Sequence, residues 1–381
     1  MKIVIAPQTF KGTISASQAA ASMAKAGNRI IPDAEIVMIP IADGGRGTGE
    51  ALVTSTGGYY ANSPTVDPIG RPIMARWGVL GNNETAVVES SSASGLALLN
   101  LEHRDPTKTS TRGTGKLILT ALKEGFRDIL VGLGDSATND GGIGIAQELG
   151  VRILDRTGNE VQDGGGYLTS ICELDVSGLY ESVSETQFTI LCDVNNQLCG
   201  PNGASAVFGP QKGASDEQVV SLDCGLQHLS NLIEAEMGIN VSNIDGSGAG
   251  GGSGAALMAF CGANLRPGFE LLSDILNLPE LLTNADLVLT GEGSLDDQTF
   301  NGKGISGISK IINGSTNTRL IAIVGHNKLQ SQQIEALGIY KAAALPVGAK
   351  DVTNTYETSM MIELTTEEIL TDLIRRRPYD N

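Results

Sequence analysis

Short apolar runs alternate along the chain with longer stretches in which apolar residues recur at helical spacing. Runs of strand length, bounded by turn residues, fall at 2–6, 36–41, 129–133, 287–290, 320–324 and 342–347. Between them, Ser15-Ala16-Ser17-Gln18 forms a capping box that opens a helix carrying Ala19, Ala20, Met23 and Ala26. Strand alternating with helix predicts a parallel sheet with helices on both faces. The alternation is clean only at the two ends of the chain. Segments 58–110 and 151–215 have more turn signals, such as Pro68-Ile69-Gly70-Arg71-Pro72 and Asp163-Gly164-Gly165-Gly166, and shorter extended runs at 85–89 and 188–191. The pattern predicts an α/β protein in which 1–60 and 281–381 build one open, mostly parallel sheet domain. A mixed α/β domain, 61–280, is inserted into it, with the active site expected in the cleft between the two. Two domains in series, with a break near 240–255, is the competing division.

Composition narrows the function. At 381 residues the chain is long enough for two domains or three, each with its own core. Its 49 glycines cluster rather than repeat, which excludes a collagen-like or low-complexity chain. Three scattered histidines argue against a histidine-held transition metal. Five cysteines without a C-x-x-C spacing, mostly in apolar stretches, predict reduced, buried thiols in a cytoplasmic protein. The opening Met1–Pro7 reads as a strand and not as a leader, and no apolar run approaches the roughly 20 residues that span a bilayer. A formal net charge of −17 argues against nucleic acid or an anionic membrane as partner. It also opposes any anionic small molecule, so local donors must outweigh the global field.

The candidate chemistry sits where apolar runs give way to glycines, carboxylates and hydroxyls. Three such places are Ile39-Pro40-Ile41-Ala42-Asp43-Gly44-Gly45-Arg46, Gly134-Asp135-Ser136-Ala137-Thr138-Asn139-Asp140-Gly141-Gly142, and Thr290-Gly291-Glu292-Gly293. In α/β proteins ligands bind at the carboxyl ends of strands, where glycine lets backbone N–H groups approach a phosphate and carboxylates hold a metal or take a proton. Asp43, Asp140, Asp193 and Asp296 each lie at such a place, although a loop aspartate also serves as a cap or turn former. Lys11, just past the first run, and Lys303 and Lys212, each flanked by glycine, are candidates for anion contact or plain solvated lysines. The tract Gly246–Gly254 contains a formal G-x-G-x-x-G at 246, 248 and 251, but Val241–Asp245 before it is a poor strand. It reads as a phosphate-contacting loop, with Gly248 and Gly251 as contacts, or as a flexible hinge. Walker A and the protein-kinase signatures are absent, so a nucleotide must be held in another way.

Taken together, Ala6-Pro7 with Phe10-Lys11-Gly12, Ala42-Asp43-Gly44-Gly45, Ala93-Ser94-Gly95-Leu96 and Arg112-Gly113-Thr114-Gly115 resemble a known family. The likeness continues through Ser136–Gly142, Cys192-Asp193-Val194, Gly203–Ala214, Thr290–Gly293, Asp296, Gln298 and Gly302-Lys303. The family is the bacterial glycerate kinases that have a flavodoxin-like domain and an inserted second domain. The resemblance implies a Rossmann/flavodoxin-like sheet and transfer of a phosphoryl group from ATP, with Mg2+, to D-glycerate, on its 2- or 3-hydroxyl. Asp193, Asp43 and Lys11 are then the catalytic candidates, and Asp43 and Asp296 the metal ligands. Gly248, Gly251, Gly291, Glu292 and Lys303 would hold the nucleotide, and Arg46, Ser136, Asn139 and Asp140 the acid. Which carboxylate is base and which binds metal is left open by the sequence, as is the oligomeric state.

The departures from the family pattern also carry information. Its Asp-Ser before Phe-Lys is Gln8-Thr9 here, the glutamate of Asp-Gly-Gly-Glu is Arg46, and the arginine after Gly-Glu-Gly is Ser294. A glycine before Ser-Ala-Thr is Asp135, and a histidine before Gly-Lys is Asn301. Gln8 can neither bind a metal as an anion nor act as a base, and loss of an arginine removes a bidentate carboxylate clamp. The alternatives are therefore a kinase for a related small hydroxy acid, or a weakly active or non-catalytic relative that binds a phosphorylated acid. A dinucleotide-dependent oxidoreductase would rest on the glycine tract alone.

Overall fold

The computed structural model describes residues 1–10, 13–41, 47–301, 304–313, 317–346 and 354–375. Its strands are β1 (Lys2–Pro7), β2 (Glu35–Met38), β3 (Tyr59–Val66), β4 (Pro72–Val79), β5 (Thr85–Glu89) and β6 (Asp128–Gly132). They continue with β7 (Arg152–Asp155), β8 (Ile171–Asp175), β9 (Gln187–Leu191), β10 (Asn264–Arg266), β11 (Leu287–Leu295), β12 (Arg319–Asn327) and β13 (Ile339–Ala344). The chain divides into two compact units. One takes β1, β2 and everything from Phe269 onward; the other takes Thr56–Gly268. The helix Gly268–Leu276 and the start of Leu278–Thr283, up to residue 280, assigned by sequence to the inserted part, therefore fall with the first unit apart from Gly268 itself.

In the first unit the strands lie in the order β2-β1-β11-β12-β13, all parallel. Renumbered within the unit this is 2-1-3-4-5, the flavodoxin-like order, whose topological switch point lies between β1 and β11. The central strands are apolar throughout because helices cover both faces: Ile3, Ile5, Leu287, Leu289, Ile321 and Ile323 are all buried. The helix Ala16–Ile30 begins as its capping box predicts, with Ser15 Oγ accepting from Gln18 N at 3.2 Å and Gln18 Oε1 accepting from Ser15 N at 3.0 Å. Ala16, Ala19, Ala20, Ala24, Ala26 and Met23 are buried, and it packs on the helix Thr355–Arg375, with Ser22 and Ser359 hydroxyls 2.6 Å apart.

Several strand limits differ from the sequence expectation: β2 stops at Met38, short of 41, and β12 runs on to Asn327. β11 does not break at the Gly-Glu-Gly turn but runs on to Leu295, pairing Glu292 with Val324 and Ser294 with His326. Gly291 is not a strand breaker here; a Cβ there would lie 2.2 Å from Ile323 O, so close packing requires the glycine. The run read at 342–347 belongs to a strand that starts earlier, at Ile339, directly after Gly338 with φ of 64°.

The second unit carries a six-stranded sheet in the order β10-β9-β6-β5-β4-β3. β5, β6, β9 and β10 are parallel, and β3 and β4 complete the edge as an antiparallel pair. A separate hairpin pairs β7 with β8. The core includes Val88, Leu117, Ile129, Val131, Ile143, Ile145, Phe188 and Ile190. Trp77 is buried among them, its indole N–H donating to Ser63 Oγ at 3.0 Å and its ring meeting Phe126 edge-on at 5.6 Å. The 22-residue helix Asp216–Met237 starts at a second capping box, on Ser215, and stops at Gly238. Of the five free cysteines only Cys192 and Cys261 are buried; Cys172 and Cys224 are exposed, against the sequence expectation. Burial pushes the thiols of Cys261 and half-buried Cys199 up to about 12. No helix among the described residues is long and apolar enough to cross a membrane.

Candidate active site

In the first unit the candidate residues gather at the carboxyl ends of β1 and β11, the switch point. The backbone N–H of Gln8 donates to Gly291 O at 2.7 Å. The Gln8 carboxamide lies against Gly304, where a Cβ would come within 2.1 Å of its carbon. Glu292 accepts from Thr299 Oγ1 at 2.7 Å, and the same hydroxyl accepts from the N–H of Asp296 at 3.2 Å. Asp296 Oδ2 takes a hydrogen bond from Ser294 Oγ at 3.1 Å and meets Lys328 Nζ at 3.2 Å. Ser294, which stands in place of an arginine, thus caps the neighbouring carboxylate. Lys328 is 64% exposed, so its pairing with Asp296 is worth little and exchanges readily. Lys11, Asp43, Arg46 and Lys303 lie outside the described residues. Among the described residues no group of three or more histidine, cysteine or acidic side chains is arranged to hold a metal.

In the second unit the loop that follows β6 is the centre of a buried polar network. Asn139 and Asp140 are fully buried, and Ser136 is nearly so. Asp140 accepts from Thr111 N at 2.8 Å, Thr111 Oγ1 at 2.9 Å and Gly142 N at 3.1 Å. Burial nevertheless pushes its carboxyl above the usual range, against those hydrogen bonds. Asn139 Nδ2 donates to Ser205 Oγ at 2.9 Å. Ser136, Asn139 and Asp140 are therefore brought together as sequence reading expected, but their side chains face protein groups and fix the loop.

Lys212 completes the network. It is 2% exposed, and its ammonium donates to Thr138 O at 2.6 Å and Ser136 Oγ at 3.0 Å. Burial lowers it to about 8, opposed by the negative charge of Asp140. Sequence reading left this lysine undecided between anion contact and surface; the available signal was its setting, Phe208-Gly209-Pro210-Gln211 before it and Gly213 after.

The glycine tract packs on this loop. Gly251 O accepts from Gly141 N at 3.0 Å, and a Cβ on Gly251 would fall 1.9 Å from Thr138 O. A Cβ on Gly248 would fall 2.2 Å from Gln197 O. These glycines are required by backbone running against backbone, and the tract, between the helices Asp216–Met237 and Ser253–Cys261, lies inside the second unit. It is a packed connection and not the interdomain hinge. Three buried oxygens of the two touching loops, Thr138 Oγ1, Asn139 Oδ1 and Ser247 Oγ, have no hydrogen-bond partner among the described residues. Asp193, half-buried, follows β9, the next parallel strand beyond β6.

Carboxylates and glycine-bearing loops at the carboxyl ends of parallel strands in two sheets, one in flavodoxin-like order, define a two-unit α/β enzyme of the phosphate-handling class. Residues 3–374 match the model of the glycerate kinase family. The chain is 45% identical to the glycerate 2-kinase of Escherichia coli K12, over 82% of each chain. It is 39% identical to the glycerate kinase of Bacillus subtilis 168, over 94% of this chain and 93% of the relative. A crystal structure assigned to glycerate kinase 2 of Salmonella typhimurium LT2 superposes with a TM-score of 0.87 at 39% identity, covering 98% of both chains. The chain belongs to the glycerate kinase family.

Proposed function

We propose that this chain transfers the γ-phosphoryl group of ATP to the 2-hydroxyl of D-glycerate. The observation that carries the reading is family membership over nearly the whole length, residues 3–374. The 2-position is supported by the name of the Escherichia coli relative, a glycerate 2-kinase at 45% identity.

Phosphoryl transfer asks little covalent chemistry of the protein; positioning and charge do most of the catalysis. Asp193 takes the proton of the attacking hydroxyl, a role suited to a half-buried carboxylate at a strand end. Lys11, Arg46 and Lys303 offset phosphate and carboxylate charge against the global −17. The 134–142 loop and the glycine tract brace each other through the Gly141 N to Gly251 O hydrogen bond and so hold the loop after β6 rigid.

The donors at the end of β11, Glu292, Ser294, Asp296 and Thr299, are all oxygen, which is the chemistry magnesium takes. Glu292 and Asp296, with Asp43, would hold the ion. When bound it would supply positive charge to offset that of the phosphates. The test is ADP release coupled to a reporter, with D-glycerate, tartronate, lactate and aldonic acids as acceptors. Turnover highest with D-glycerate supports the reading, and no ADP release with any acid overturns it.

A further inference from the structure

Beyond β9 and Asp193, the second unit has a polar depression of about 410 Å3 lined by Asn195, Asn196, Gln197, Asn202 and Asp245. We propose that it is a subsite for a vicinal diol, either the ribose of the nucleotide or the polyol tail of a hydroxy acid longer than glycerate. The inference rests on the kinase reading and names a ligand group which that reading leaves unassigned.

The lining selects the ligand chemistry. None of the five side chains is cationic and one is a carboxylate, so neither a phosphate nor a carboxylate group is matched here. Carboxamides both donate and accept, and a carboxylate only accepts. Adjacent hydroxyls do both as well, and an aspartate facing a ribose diol is a recurring arrangement.

The Asn196–Gln197 part of the wall is held by contacts within the protein. Asn196 Nδ2 donates to Asn202 O at 2.7 Å, and Asn196 O accepts from Gly248 N at 3.1 Å. Gly248 in turn has its Cα against Gln197 O, leaving no room for a Cβ. The glycine tract therefore presses the 195–197 segment into shape. Its contribution to ligand binding is to build this wall, and a side chain at 248 would push the carboxamides out of place.

The experiment measures affinity by calorimetry and kcat/KM by ADP release, for the full chain and for Asn195→Ala and Asp245→Ala. ATP is compared with 2′-deoxy-ATP, and glycerate with a four-carbon trihydroxy acid. If the diol is ribose, both variants bind ATP about tenfold more weakly and lose the preference for ATP over the deoxy form. If it is the acid's tail, both lose the four-carbon acid about tenfold, with glycerate and ATP unchanged. Equal affinities of wild type and variants for all four ligands overturn the subsite. A wild type that binds ATP but turns over no acid counts against the kinase reading instead, and calorimetry still decides the subsite.

Discussion

The ammonium of Lys212 lies 2.6 Å from the carbonyl oxygen of Thr138, in a position with 2% solvent exposure. A lysine buried this far is held by its hydrogen bonds and a counter-charge, and here Ser136, Thr138 and Asp140 offset part of its lost hydration. The loop it holds carries three residues of the candidate site. Lys212→Met removes the charge and leaves the Thr138 carbonyl without its donor. We expect a loss of about 3 kcal/mol in urea unfolding, within the range for breaking a buried charged network. A loss below about 0.5 kcal/mol would mean the loop holds itself.

The same lysine makes stability depend on pH in a predictable direction. Its folded value, about 8, is below its ordinary value of 10.5. Between these values the unfolded chain carries the proton and the folded chain does not, so stability from this group rises with pH across that window and is flat below it. Cys199 and Cys261, raised to about 12, act in the opposite sense above about pH 9, so the comparison must be with Lys212→Met. The stability advantage of wild type over the variant should grow by on the order of 2 kcal/mol between about pH 7.5 and about pH 9.5. A constant difference would place the lysine's proton elsewhere in the titration.

Gly251 and Gly57 both have positive φ, 71° and 69°, but only Gly251 faces backbone, 1.9 Å from Thr138 O, while Gly57 has nothing within 4 Å. Alanine at Gly57 should cost about 1 kcal/mol, the backbone term alone. Alanine at Gly251 must move one loop off the other and should cost at least about 3 kcal/mol, with a fall in kcat. Thermal unfolding of the two variants side by side measures the difference, and equal costs would contradict the packing account of the tract.

Much of the sheet was legible from apolar runs, because a strand buried on both faces is apolar at every position, as in Ile3–Ile5 and Leu287–Leu289. Ser15 and Gln18 gave the first helix start because both partners of a capping box are close in sequence. The packing role of Gly248, Gly251 and Gly291 is not legible in the sequence, since it lies in what crosses each glycine, here Gln197, Thr138 and Ile323, and none of these is near in sequence. The carboxylate of Asp140 was recognisable as important but not as inward-facing, because its partner Thr111 is 29 residues away. Lys212 was undecided for the same reason: its acceptors come from a loop more than 70 residues upstream.

Asp193→Asn keeps size and hydrogen bonding but cannot take a proton. We expect kcat to fall on the order of 10²-fold or more, with unfolding unchanged within about 0.5 kcal/mol. Near-normal turnover would reassign Asp193 to a structural role in the loop after β9.

The central claim is tested most directly by NMR of the product formed from ATP and D-glycerate. The account predicts the phosphorus resonance of 2-phosphoglycerate growing in step with ADP, with coupling to the single proton on carbon 2. A product coupled to the two protons of carbon 3 would contradict the 2-position, and ATP consumed with only inorganic phosphate appearing would contradict glycerate phosphorylation itself.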